Sequence, residues 1–381
     1  MDILPDLPGG RPLKGRGAVS NRTGRFESEV RQRVDDGWSD LGRDSGATPD
    51  PTDPAAAEEA RPRTHVIVDA TRSALTRNNS PDIPFDRSIN PYRGCEHGCV
   101  YCFARPTHAY LGLSPGLDFE TRILAKPDAP RLLVRELSRR NYRCRPIAMG
   151  TNTDPYQPLE RRLHITRDIL RVLSDFNHPV SIVTKSDGVL ADLDLLAGMA
   201  ARNLAKVYLS ITTLDGGLAR RLEPRAAAAA KRLAAVHALA EAGVPVGVMV
   251  APVIPALTDS EMESILEAAA NAGAREAGYI LLRLPLEVKE LFAEWLHAHY
   301  PERAAKVLSL VRDTRGGKNY DSRWGTRMKG EGPYAEMIAR RFALATRRLN
   351  LNRQRTKLRT DLFGPPVLKR DPQLSLFADS A

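Results

Sequence analysis

Cys95, Cys99 and Cys102 fall within eight residues of one another, and their spacing is the feature of this sequence best suited to chemistry. They stand in Asn90-Pro91-Tyr92-Arg93-Gly94-Cys95-Glu96-His97-Gly98-Cys99-Val100-Tyr101-Cys102-Phe103, a C-x3-C-x2-C pattern with an aromatic residue before the third cysteine. Thiolates are soft ligands, suited to zinc or to the iron of a cluster. Three thiolates from one tight loop can hold three irons of a [4Fe–4S] cube and leave the fourth iron open to an external ligand. Gly94 and Gly98 relieve backbone crowding where such a loop wraps the group it holds. A structural Cys3His zinc site using His97 or His108 is the other arrangement these residues permit. Clustering of this kind argues against a disulfide framework. The remaining cysteine, Cys144, reads as a structural thiol.

The elements that must position this loop are strands. From Asp86 to Pro285, strand-like runs alternate with helix-like ones. The strand candidates are Ser88–Asn90, Ile147–Met149, Val180–Val183, Val207–Ile211, Val244–Val250 and Tyr279–Leu282. Helical apolar spacing marks Leu159–Leu173 and Ala226–Ala242, the second stopped by Gly243, and Thr258-Asp259-Ser260-Glu261 reads as a capped helix start. Six such β-then-α units imply a parallel sheet with right-handed crossovers, open rather than closed into an eight-stranded barrel. Chemistry then belongs at the C-terminal ends of the strands.

Polar residues stand at those ends. After the second strand, Thr153 and Asp154 suit a polar ligand, Asp154 as an acceptor from an ammonium. Lys185 ends the third strand and suits a carboxylate partner. Ser210 and Thr212 end the fourth, within reach of the same carboxylate or a ribose. Ala251-Pro252-Val253-Ile254-Pro255 offers an apolar wall.

The cysteine spacing, Tyr101 and the position just after the first strand resemble the cluster motif of the radical SAM superfamily. The longer string from Ser88-Ile89-Asn90-Pro91 to Cys102-Phe103-Ala104-Arg105 resembles a bacterial subgroup related to spore photoproduct lyase. The likeness covers residues 65–340. It implies a partial (β/α)6 barrel, and a [4Fe–4S] cluster on Cys95, Cys99 and Cys102 whose open iron binds S-adenosylmethionine. It implies reductive cleavage of that cofactor to a 5′-deoxyadenosyl radical, which abstracts hydrogen from a substrate. It also implies an electron donor such as flavodoxin or ferredoxin. Thr153, Asp154, Lys185, Ser210 and Thr212 are then the cofactor-binding residues. The lyase carries a hydrogen-donor cysteine near the position of Thr151; this chain has none there, so reversal of a thymine dimer by the same second step is not implied. No catalytic side chain is assigned, and no further cysteine group provides for auxiliary clusters.

Charge and composition bear on the substrate. The chain has 381 residues and a formal net charge of +10. Residues 1–60 hold twelve acidic and eight basic side chains without apolar periodicity, which reads as a disordered N-terminal region. Residues 61–285 form the core domain, 286–360 a basic helical C-terminal extension, and 361–381 a flexible tail. Between Arg340 and Arg370 ten basic residues face one acidic residue, a balance that permits contact with DNA. Gln373-Leu374-Ser375-Leu376-Phe377 resembles the peptide by which bacterial DNA-repair proteins bind the sliding clamp, with Gln373, Leu374, Leu376 and Phe377 as its anchors. No membrane span or secretory leader is read, and a cytoplasmic protein is expected. The leading expectation is a radical SAM enzyme whose substrate is unassigned, a macromolecule with DNA as the candidate and DNA repair as the candidate setting. A radical SAM enzyme for a small molecule and a non-catalytic, zinc-stabilised nucleic-acid-binding module are the alternatives.

Overall fold

Val180, Ile182 and Thr184 are buried while Ser181 and Val183 are half-covered, the period-two pattern of a strand. In the computed structural model, which describes residues 12–28, 30 and 63–366, this strand lies at the middle of the main sheet. The strands are β1 (His65–Val68), β2 (Leu75–Arg77), β3 (Arg87–Ile89), β4 (Tyr92–Arg93), β5 (Arg122–Ala125), β6 (Ile147–Met149), β7 (Val180–Thr184), β8 (Ala205–Ser210), β9 (Val246–Val253) and β10 (Glu276–Leu281). Seven of them pair in the order β10-β9-β8-β7-β6-β3-β2. Six run parallel and β2 is antiparallel. The six parallel strands fall at the six expected places, with ends shifted by a few residues.

Helices follow the strands: α1 (Ala129–Leu137), α2 (Ile165–Asp175), α3 (Leu193–Ala200), α4 (Gly216–Leu222), α5 (Ala229–Glu241), α6 (Met262–Asn271) and α7 (Val288–His299). Then come α8 (Pro301–Asp313) and α9 (Pro333–Arg348). The fold is thus α/β with six strand–helix units. β2 and β10 are its unpaired edges, so the sheet stays open, yet loops tie the two edges together. Asp82, after β2, accepts from the Arg327 guanidinium and, at 2.6 Å, from the Gly325 N–H; Arg327 also donates to Ser80. Met328 O in turn accepts from Leu281 N–H on β10. Loops from the two margins of the open sheet therefore meet, in keeping with a partial barrel.

Three local expectations are corrected. The helix expected over Leu159–Leu173 is broken at His164, which has a left-handed φ of 52°. A single turn, Glu160–Leu163, precedes the break, and the Glu160 carboxylate then accepts the Thr166 N–H at 2.8 Å to start α2. The capping box at Thr258 does not form. Thr258 Oγ1 accepts from Ile254 N–H, and Glu261 reaches Thr213 Oγ1 and Leu214 N–H instead. Most importantly, residues 12–28 lie in the region expected to be disordered, yet Gly17, Ala18 and Val19 are buried against the core. Their order comes from long-range partners that a local reading cannot see. Ser20 Oγ donates to Glu294 at 2.6 Å, and Asn21 exchanges two hydrogen bonds with Asp118.

Two features place the C-terminal part. Phe292, Trp295, Val307 and Val311 of α7 and α8 pack in one cluster with Cys99, Val100, Tyr101 and Leu222, so this helical extension shares a core with the cysteine loop. Residues 350–364 instead cross the N-terminal ends of the strands. The Asn352 amide brackets Ala277, Arg359 N–H donates to Asn203 O, and Gly364 N–H donates to Phe176 O. The basic block around Arg353 and Arg355 therefore sits at the end of the sheet opposite the strand ends that carry Lys185 and Ser210. Among the described residues no helix is long and apolar enough to cross a membrane.

Candidate active site

A small sheet delivers the cysteines. β5 pairs with β1 in parallel and with β4 in antiparallel, and β4 runs directly into Gly94 and Cys95. Gly94 and Gly98 have φ of 82° and 67°, the left-handed turns expected of this loop. Cys95 and Cys99 are buried and Cys102 is partly open.

Arg105 draws the loop together from behind. Its Nε donates to Cys99 O at 2.9 Å, Nη2 to Gly98 O, and Nη1 to Pro115 O and Gly116 O. Nη2 also meets Glu120, and neither side chain of this ion pair is exposed. All five N–H donors of a guanidinium are then used. Glu120 in turn accepts from Gly17 N–H at 3.0 Å and Ala18 N–H at 2.8 Å. The N-terminal strap lies so close that a Cβ on residue 17 would stand 1.8 Å from Gly98 O. Only glycine fits there.

The other side of the loop is held by the turn after β6. Thr153 Oγ1 donates to Gly94 O at 2.7 Å, and Glu96 N–H donates to Gln157 Oε1 at 2.9 Å. Both Asp154 oxygens are engaged inside the protein. They accept from Tyr156 N–H, Thr184 Oγ1 and Lys185 N–H, with His97 Nδ1 3.4 Å away. Thr153 and Asp154, expected to meet a ligand, thus tie the cysteine loop to β6 and β7. Burial pushes the Asp154 carboxyl up, but His97 and these donors outweigh it and hold it below the usual range.

Lys185, Ser210 and Thr212 do come together. Lys185 Nζ lies 2.9 Å from Ser210 Oγ, 3.1 Å from Thr212 Oγ1, 3.0 Å from Ala251 O and 3.1 Å from Glu223 Oε1. An ammonium has three N–H groups for these four acceptors. Its nitrogen also stands 5.5 Å from the centroid of the Tyr101 ring, over the cysteine loop. Glu223 and Arg232 were missed by sequence reasoning. Arg232 pairs with Glu223 and donates to Ser210 O, while the Tyr101 hydroxyl donates to Glu223. No spacing rule pointed to Glu223, which follows α4 as an ordinary charged residue before Pro224. Of the apolar wall, Ala251 takes part chiefly through its carbonyl.

The donor set can be tested for the group it would hold. Burial raises all three thiol pKa values, with neighbouring negative groups adding to this at Cys95 and Cys99. Backbone N–H groups oppose it: that of Asp154 points at Cys95, and those of Ala104 and Arg105 at Cys102. Such N–H donors favour the thiolate. Among the described residues no three His, Cys, Asp or Glu side chains converge as a single metal ion requires. His108, a candidate fourth zinc ligand, spends Nε2 on Arg122 O at 2.9 Å. His108 Nδ1 is buried without a partner among the described residues, so zinc is disfavoured by the lack of convergence, whereas three thiolates from one loop suit separate irons of one cluster. Cys144 is half-buried before β6, away from this loop. The clamp-like residues Gln373, Leu374, Leu376 and Phe377 lie outside the described residues.

Comparison with known proteins identifies the family and the fold. Residues 89–269 match the Radical SAM superfamily. Uncharacterised proteins of Mycobacterium bovis and Mycobacterium tuberculosis are each 38% identical over 244 residues, covering 63% of this chain and 72% of theirs. One from Methanocaldococcus jannaschii is 29% identical over 214 residues, 56% of this chain and 76% of that one. In fold the chain is similar to spore photoproduct lyase complexed with dinucleoside spore photoproduct, with a TM-score of 0.52 and 17% identity over 74% of this chain and 79% of that one. A variant of that lyase with bound AdoMet and the dinucleoside gives 0.51 and 16%, covering 74% and 78%. Radical SAM proteins are enzymes that use a [4Fe–4S] cluster and S-adenosylmethionine. This chain belongs to the radical SAM superfamily.

Proposed function

We propose that Cys95, Cys99 and Cys102 hold three irons of a [4Fe–4S] cluster and that Lys185, Ser210 and Thr212 receive the carboxylate of S-adenosylmethionine. The observation that carries this reading is the Lys185 ammonium, gathered with Ser210 and Thr212 at the strand ends and over the ring of Tyr101. An arriving carboxylate would take the place of one of its four acceptors. Glu223 and Arg232 fix the height and direction of Lys185, while Thr153 and Asp154 fix the loop that faces it. Bound together, the two cofactors supply a 5′-deoxyadenosyl radical that takes a hydrogen atom from the substrate. A reducing partner such as flavodoxin or ferredoxin provides the electron, as radical SAM enzymes in general require.

The substrate in this reading is DNA. The sequence of the tail supports it, since Gln373, Leu374, Leu376 and Phe377 fit a sliding-clamp peptide and would tether the enzyme to replicated or repaired DNA. Fold likeness to a lyase complexed with a dinucleoside photoproduct is in keeping with this. The absence of a cysteine near Thr151 separates the second step from that of the lyase. The test is anaerobic turnover of the reconstituted chain with reductant, S-adenosylmethionine and deuterated DNA. Deuterium in 5′-deoxyadenosine supports the reading. Its absence with every DNA tried, while a small molecule transfers label, would replace DNA by that molecule.

A further inference from the structure

Arg283 follows β10 at the end of the sheet that carries Lys185. Its guanidinium carbon stands 4.9 Å from the centroid of the Phe103 ring, and Phe103 is the residue after Cys102. The other partners of Arg283 are weak. Nη1 lies 3.5 Å from Met328 Sδ, Nη2 lies 3.4 Å from the Tyr320 hydroxyl, and Nε is buried without a partner. Nearby carboxylates are committed elsewhere: Asp82 to Arg327, and Asp321 and Glu331 to Arg323.

A second cation without an ion pair among the described residues, Arg315, adjoins it. Arg315, 1% exposed, donates to the carbonyls of Leu281, Leu282, Thr326 and Arg327 and binds the loop of residues 316–332 to the end of β10. Burial and the charge of Arg283 push its pKa down to about 10. Four arginines, Arg283, Arg315, Arg323 and Arg327, thus stand here against three acids, Asp82, Asp321 and Glu331, leaving a net positive charge. Two aromatic side chains are exposed on the segments these cations hold, Phe103 beside Arg283 at 44% and Trp324, in the loop that Arg315 secures, at 61%.

Cations without acid partners set among open aromatic rings are the means by which proteins hold single-stranded nucleic acid. The cations follow phosphates and the rings stack on bases. We propose that Arg283, Phe103 and Trp324 form a single-strand subsite at the mouth of the barrel, Arg283 pairing with a backbone phosphate and the rings taking unstacked bases beside Cys102. This rests on the reading of DNA as substrate and specifies where and in what form it binds. The Asp82–Arg327 tie fixes the loop of Trp324 to the segment after β2.

The test is fluorescence anisotropy of a short fluorescein-labelled single-stranded DNA with the cluster-reconstituted full chain. Arg283→Ala and Trp324→Ala should each weaken binding about 5- to 100-fold, with iron content and unfolding midpoint preserved. Arg283→Lys should lose less, because it keeps the charge. Arg353→Ala with Arg355→Ala, at the far end of the sheet, should change nothing. Unaltered binding by the Arg283 and Trp324 variants would overturn the subsite while leaving DNA as substrate, as would loss confined to the Arg353 and Arg355 variant. No binding by the wild-type chain would overturn the subsite and the DNA reading together.

Discussion

Lys185 Nζ and Glu223 Oε1 stand 3.1 Å apart beside Tyr101 of the cysteine loop, and through this contact the strand ends and the loop share one charge network. Burial alone would push the Glu223 carboxyl up. Arg232 and Lys185, helped by Thr212 and Tyr101, outweigh burial and hold it well below the usual carboxylate range. Two cations around one anion leave a net positive charge, suited to thiolates on one side and a carboxylate ligand on the other.

That network makes Glu223 the residue whose loss should cost most. Glu223→Ala strands Arg232, whose side chain is 3% exposed, and should destabilise the protein by roughly 3–5 kcal/mol in urea unfolding. Lys185→Ala should cost less, because Arg232 still neutralises Glu223 and the Lys185 side chain is 15% exposed. The reverse order of the two losses would show that the pair is incidental.

The strap makes a second prediction. Gly17→Val would force its Cβ into Gly98 O and should destabilise the chain by about 1–3 kcal/mol. Because the strap braces the cysteine loop through Glu120, the variant should also lose iron and bleach faster in air than wild type. Lys14→Ala, on the same strap with an exposed side chain, is the control. Wild-type iron content and bleaching in Gly17→Val would remove the strap from the account.

His178 makes the pH dependence testable. Burial lowers its pKa from 6.5 to about 4, so the folded chain binds fewer protons than the unfolded one between those values. Stability is therefore complete above pH 6.5 and is lost as pH falls towards 4. Between pH 7.5 and pH 5 this group should cost about 2 kcal/mol. His178→Gln should flatten that part of the profile in urea titrations at the two pH values. An unchanged profile would show that His178 does not govern it.

These predictions divide along the line of what the sequence made legible. Strand positions could be read because Val180–Thr184 and its neighbours alternate or run apolar, and Lys185, Ser210 and Thr212 could be read because they stop those runs. Cys95, Cys99 and Cys102 stood out as candidate ligands by their spacing and the family likeness. Glu223 and Arg232 were not, because a buried ion pair looks like two surface charges until the chain is folded. Arg105 stood in the string that carried the family likeness, but its hold on Gly98 O and Cys99 O is a matter of backbone geometry. The strap was misread for a related reason. Its order depends on Glu120 and Glu294, far away in sequence, whereas its own composition suggests disorder.

The tail makes a further prediction. Replacing Gln373, Leu376 and Phe377 by alanine should abolish capture of the chain by a bacterial sliding clamp without altering iron content. Equal capture of wild type and variant, or no capture of either, would contradict the tethering proposal.

The most direct test of the central claim is metal analysis with product detection on the anaerobically reconstituted chain and its Cys95→Ala, Cys99→Ala and Cys102→Ala variants. The account predicts roughly four irons per wild-type chain, reductive release of 5′-deoxyadenosine from S-adenosylmethionine, and loss of both in each variant. Stoichiometric zinc without 5′-deoxyadenosine, or iron retained in all three variants, would contradict it.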